Sequence, residues 1–204
     1  MKSYINNTRG SLMLYCLIIG MVITMFGISG ITLSINEYQN LLSNTDSIRA
    51  YYLAEIGSEI AQDRLISATD KIIIEYLDEL KNYKIGYILQ MEGEMVGIDY
   101  MPPSLETYLS NHLIKDIGRF NDVQNNCMSD YPANHSYTIN VNYDKIDDII
   151  VIECVGRYNK ARRRIITEFK SPYIIENGHD IYMLPKIKIN TIDIISYYET
   201  IFTH

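Results

Sequence analysis

Hydrophobic and polar positions divide this chain into segments of different period. From Ser11 to Asn36 no charged residue interrupts the sequence, a run longer than the ~20 residues a helix needs to cross a hydrocarbon core. Beyond it the helical reading continues with charges on one side. Tyr38, Leu41, Leu42, Ile48, Tyr52, Ile56, Ile60 and Leu65 recur at threes and fours, which predicts an amphipathic helix to about residue 66. Residues 70–82 read as a second amphipathic helix with Asp70 as its cap. Gly86, Gly93, Gly97 and Pro102-Pro103 punctuate the next stretch of chain, with short strands expected at 87–90 and 94–98. Ser104 to Phe120 returns to helical spacing, with Ser104 at the N-cap and Gly118 near the stop. Residues 121–134 are polar and read as a loop.

At Tyr137 the period changes to two. Tyr137, Ile139, Val141 and Tyr143 alternate with polar residues, 149–155 is almost continuously apolar, and 164–169 alternates again. Separated by 144–148 and 156–160, these segments predict a three-stranded antiparallel meander with one face packed on the long helix. Ile187 and Ile189 are expected to add a strand, and residues 191–202 to form a short terminal helix. The expected fold class is therefore α+β: a long N-terminal helix, its first half membrane-spanning, laid on a small antiparallel sheet.

The residues before the apolar run change its meaning. Lys2 and Arg9 are basic, and Arg9-Gly10 stands directly before Ser11. A secretory signal has its cleavage site after the apolar core; here the junction comes first. The sequence Arg9-Gly10-Ser11-Leu12, the apolar run from Met13 to Leu33, and Tyr51-Tyr52-Leu53-Ala54-Glu55-Ile56-Gly57 together resemble type IV pilins and the pseudopilins of type II secretion. The last segment is similar to the Ala-Glu-x-Gly run of minor pilins of the PilX kind and of the K-type pseudopilin. The resemblance covers about residues 1–66.

That resemblance implies a class III leader at 1–10, cut by a prepilin peptidase between Gly10 and Ser11, with N-methylation of Ser11. It implies a transmembrane half-helix over 11–36, then an amphipathic helix and an extracytoplasmic pilin-like head over 37–204, with Ala54, Glu55 and Gly57 where helix meets head. Other minor and major pilins and the cytoplasmic membrane are the implied partners. Two positions depart from the family: Ser11 replaces the usual phenylalanine, and Tyr15 replaces the glutamate usual at the fifth mature position. A charge buried in an apolar bundle is costly unless paired, and family members lacking that carboxylate are associated with the filament tip. Tyr15 thus either marks a tip-proximal minor subunit that helps prime filament assembly, serving adhesion, motility or secretion, or is an interfacial aromatic of an ordinary membrane helix. Two rivals remain: a competence-type pseudopilin for DNA uptake, and a single-pass signal-anchored extracellular binding protein unrelated to pili.

Composition narrows the rest. Net charge is −7, which disfavours nucleic-acid binding through phosphate neutralisation. Basic residues precede the apolar run and the first charge after it is Glu37, so the positive-inside rule places the N-terminus in the cytoplasm and the bulk outside. Cys127 and Cys154 would then meet an oxidising compartment, which allows one disulfide without demanding it, while Cys16 lies in the apolar run. Arg157, Lys160, Arg162, Arg163 and Arg164 crowd one hairpin, either as a contact for acidic partner subunits or DNA, or as a solvated tip that discourages edge pairing. Asn140-x-Asn142-x-Asp144 opens like a calcium loop, but Lys145 and Val151 stand where glycine and glutamate are required. The four histidines are scattered, and no metal-ligand spacing, nucleophile elbow or phosphate-binding loop occurs. No metal, cofactor or enzymatic activity is expected.

Overall fold

A computed structural model describes residues 8–92 and 100–201. The chain divides into two compact units, Met1–Thr45 and Asp46–His204. One helix, α1 (Thr8–Glu92), begins in the first and ends in the second. The expected leader residues before Thr8, the strand at 94–98 with Gly93 and Gly97, and the final residues from Phe202 lie outside the described residues.

In the first unit the side chains of α1 from Leu12 onward are exposed, with Met13, Phe26 and Tyr15 at 78%, 75% and 64%. One helix, near the N-terminus, is long and apolar enough to cross a membrane. Three of its hydroxyls bond back to the helix itself. Thr24 donates to Met21 O (2.8 Å), Ser29 to Met25 O (2.8 Å) and Thr32 to Ile28 O (2.9 Å). Such back-bonding hides polar groups from an apolar solvent that offers them no partner.

The second unit has an α+β layout, with α1 packed on a small antiparallel sheet. Strands β1 (Asp122–Asn125), β2 (His135–Asp144), β3 (Ile149–Tyr158), β4 (Ala161–Lys170) and β7 (Asp193–Ile201) form a sheet in the order β1-β2-β3-β4-β7. β5 (Tyr173–His179) and β6 (Pro185–Asn190) form a separate two-stranded ribbon. The meander β2-β3-β4 follows the predicted alternation. Tyr137, Ile139 and Val141 on β2, Ile150, Ile152 and Cys154 on β3, and Ile165 and Phe169 on β4 are buried under the helix. Asn159, with φ 52°, turns β3 into β4 in two residues, a left-handed position that asparagine tolerates. Ser104 caps α2 (Leu105–Leu109), accepting from Thr107 N at 3.5 Å. A π turn (Ser110–Ile114) and a 3-10 turn (Ile117–Phe120) complete the segment read as one helix.

Four expectations are corrected. The helix does not break before Asp70. Thr69 is fully buried and donates to Leu65 O at 2.8 Å, and no proline or glycine lies between 58 and 85 to stop it. Residues 87–90 continue α1 instead of forming a strand. Residues 122–125 form the edge strand β1 within the expected loop. The terminal helix is instead β7, which covers the free edge of β4 through Asp193 to Ile201. Its Ile194, Ile195, Tyr197 and Tyr198 are β-branched or aromatic and suit a pleated surface. Ser196 Oγ and Tyr198 Oη bind Glu168 at 2.7 and 3.3 Å.

Candidate functional site

The most specific local structure in the second unit is the contact between α1 and β2-β3-β4. Its helix side is built from small residues. Ala50, Ala54 and Ala61 are fully buried, Ser58 nearly so, and Gly57 with them. Opposite stands Gly156 on β3. A Cβ there would strike Ala50 O and come within 2.5 Å of Ala54 N, so sheet backbone and helix backbone touch with no side chain between them. One turn on, a Cβ at Gly57 would meet Cys154 Sγ and lie 2.9 Å from Tyr137 Cδ2. Ser58 Oγ and Thr167 Oγ1, 3.3 Å apart, tie the helix to β4. The run Ala54-Glu55-Ile56-Gly57 is thus the segment on which the sheet seats.

Glu55 is half-buried and accepts from Tyr51 Oη at 3.4 Å. Burial of the hydroxyl, then a hydrogen bond with Tyr51 and the Glu55 charge, push Tyr197 up to about 12. Glu55 therefore belongs to a polar border between helix and β7 and not to the backbone contact itself.

Just ahead of that contact, where α1 leaves Asp46, the β3-β4 hairpin is clamped to the helix. Asn159 Nδ2 donates to Asp46 Oδ2 (3.0 Å), Arg163 Nε to Ser47 Oγ (2.7 Å) and Arg49 Nη1 to Tyr158 Oη (2.7 Å). The Arg49 guanidinium lies 5.0 Å from the Tyr158 ring centre and 5.6 Å from that of Tyr131, within cation–π range. His135, buried at 5%, completes the cluster. Its Nε2 accepts from Met128 N at 2.9 Å and its Nδ1 faces Ala133 O at 2.8 Å, which assigns the neutral Nδ1–H tautomer. This cluster escaped the sequence reading because its bonded pairs are up to 116 residues apart.

The basic hairpin separates into two sets. Arg163 also reaches Glu199 Oε1 at 3.1 Å, and Arg164 Nε lies 2.7 Å from Glu153 Oε1 in an ion pair off the hydrogen-bond line. Arg157 and Arg162 face each other across β3 and β4 and are exposed, as is Lys160 in the turn.

The remaining predicted positions lie apart. Gly10 and Ser11 fall in the first turn of α1, and Tyr15 is exposed one turn later. Cys127 is exposed in the loop after β1 while Cys154 is buried under α1, and both are free thiols. Burial, with the neighbouring Glu153 charge, pushes Cys154 up to about 12. Asp144 and Asp148 are engaged locally, with Ile146 N and with Tyr143 Oη. Among the described residues, no group of three or more metal-ligating side chains is gathered. No protein-family model, curated protein or solved structure matches this chain.

Proposed function

We propose that this chain is a minor type IV pilin or pseudopilin, tip-proximal in its filament, whose work is structural. The observation that carries the reading is the order of parts along one helix. A basic residue and glycine precede an uncharged membrane-length run, which continues without a break into the segment that seats an α+β head. Removal of residues 1–10 by a prepilin peptidase would leave that run at the new N-terminus. It would anchor the precursor and then pack among neighbouring subunit helices. Moving an apolar helix from lipid into such a bundle brings no new hydrophobic driving force, so close packing decides. Tyr15 supports the tip position, because a subunit with nothing ahead of it needs no carboxylate to meet an incoming N-terminal amine.

The test is the N-terminus of the membrane-extracted protein, by intact mass, with and without an active prepilin peptidase. A mature chain beginning at Ser11, N-methylated, supports the proposal. Persistence of Met1 beside an active peptidase overturns it and leaves a signal-anchored extracellular domain.

A further inference from the structure

A cleft of about 390 Å³ opens within the second unit, walled by α1 at Tyr76 and Leu80, by Tyr100 to Leu109 and by the β5-β6 ribbon. Its volume is in the range of small-molecule sites, and its lining is mostly apolar, as such sites are. Two polar groups in it are unspent. Ser171 is 5% exposed, and its Oγ has no hydrogen-bond partner among the described residues; the buried Tyr100 Oη is in the same position. A buried hydroxyl left without a partner is an exception in folded proteins and calls for a cause.

The charged side chains that line the cleft are acidic, and Lys84 Nζ reaches the carbonyl of the lining residue Pro185 at 2.7 Å. Glu106, Asp148 and Glu176 line the cleft, and no lysine or arginine is among the described residues that do. Four tyrosines, 76, 100, 143 and 173, line it as well, and aromatic rings carry negative potential on their faces. Lys170 Nζ already lies 4.8 Å from the Tyr173 ring centre, Tyr76 packs against Tyr108, and Tyr100 packs against Tyr83 and Tyr87. Ser171 and Asp148 share one wall, since Ser171 N donates to Asp148 O at 3.3 Å, and Tyr143 Oη donates to Asp148 Oδ1 at 2.6 Å. Burial first, then Asp148, push Tyr143 up to about 12, so its phenol stays neutral and its oxygen remains an acceptor. An anion would meet three carboxylates here, and a purely apolar molecule would leave the hydroxyls unpaired. A cation bearing N–H donors satisfies the hydroxyl oxygens, the carboxylate and the ring faces together.

We propose that this cleft binds a small organic ammonium ion, its nitrogen at Ser171 and Asp148 and its apolar body against Tyr76, Leu80 and Tyr100. The site is independent of filament assembly, and its test does not depend on peptidase processing.

The full chain in phosphatidylcholine nanodiscs is titrated with benzylammonium, benzyl alcohol and benzoate by saturation-transfer NMR, with empty discs as the blank. Benzylammonium is expected to bind saturably in the millimolar range, the order that so few heavy atoms allow. Benzyl alcohol should bind more weakly and benzoate not at all. Ser171→Ala and Asp148→Asn should each weaken benzylammonium by roughly tenfold, the loss of one charge-assisted hydrogen bond. Ser171→Ala removes an unpaired buried hydroxyl, so this variant should melt at or above the parent temperature while binding worse, a combination that a purely structural serine would not give. Absence of saturable binding, equal binding of benzoate, or undiminished benzylammonium binding by Ser171→Ala overturns the proposal.

Discussion

Replacing Gly156 by alanine adds one methyl group where helix and sheet backbones meet. The new Cβ would strike Ala50 O and stand 2.5 Å from Ala54 N, and neither is the end of a side chain that can rotate away. Ordinary contact begins near 3.4 Å, so clearing Ala54 N alone lifts α1 by roughly 1 Å. A gap of that size forfeits about a quarter to a half of the dispersion energy of the atoms around it. Here those atoms include Ala50, Leu53 and Ala54, all fully buried. Overpacking costs about 1–3 kcal/mol, and a backbone-on-backbone clash belongs at the upper end. At ~2–4 °C per kcal/mol for a domain of this size, Gly156→Ala should lower the melting temperature by about 6–12 °C. Gly156 is outside the left-handed region, so the effect is one of space and not of backbone strain. Gly86→Ala is the control: it lies in α1 with nothing within 4 Å of its would-be Cβ. It should stabilise by about 0.5–1 kcal/mol through helix propensity. Both variants would be measured in the full chain in detergent, following the near-ultraviolet circular dichroism of the tyrosines on heating. If Gly156→Ala melts within about a degree of the parent, the backbone contact does not exist as described.

Gly57→Ala should destabilise by about 1–3 kcal/mol, and Cys154→Ala in the same chain should recover part of that loss, because the sulfur is what the new methyl meets; two melts and their double-mutant cycle check this. On a Cys16→Ser background, maleimide at pH 8 should label Cys127 within minutes and Cys154 only after denaturation, since burial holds the Cys154 thiol protonated; mass spectrometry reads the adducts, and rapid labelling of both sinks the assignment. Tyr143 has its folded value raised from 10.0 to about 12, burial first and Asp148 next. Its contribution is therefore complete below pH 10 and lost between pH 10 and 12, so Tyr143→Phe should flatten that part of the alkaline stability curve, measured by urea midpoints across it.

The meander was legible because alternation is a local signal: Tyr137, Ile139 and Val141 declare a buried face whatever they pack on. The helix face was legible in part: Ala54 and Gly57 were expected where helix meets head and are buried, as is Leu65 of the apolar stripe. The rest of the stripe misled, because the eye follows large residues, and Ile48, Tyr52, Ile56 and Ile60 recur at helical spacing. Yet Ile48 and Tyr52 remain 47% and 49% exposed, and Ile56 and Ile60 are only half-buried. The buried face lies a residue or two away, on Ala50, Leu53, Ala54, Gly57 and Ala61. A hydrophobic stripe ranks positions by size, whereas a contact at backbone distance selects for smallness, and the glycine across the interface at 156 shows which rule governs this face. β7 was misread for a related reason. Its identity as a strand depends on β4 offering an edge, with Glu168 there to receive Ser196 and Tyr198, and no window of neighbouring residues contains that fact. The cleft was equally hidden, since Tyr76, Tyr143, Ser171 and Ile187 converge from four separate segments.

Within α1 two solvation rules meet on one continuous helix. From Leu12 to Ile35 the side chains are uncharged and exposed in every direction, and the hydroxyls of Thr24, Ser29 and Thr32 turn back onto the helix's own carbonyls, an arrangement that suits lipid or other apolar helices. After Asp46 the burial becomes one-sided, and polar groups bond across to strands: Arg49 to Tyr158, Ser47 to Arg163, Ser58 to Thr167. A domain that merely needed a tether would gain nothing from seating its core on the tether itself. A flexible linker anchors equally well at less cost in order. The Gly156 contact and the clamp of Asp46, Ser47 and Arg49 on the β3-β4 hairpin are therefore where substitutions should loosen α1 from the sheet.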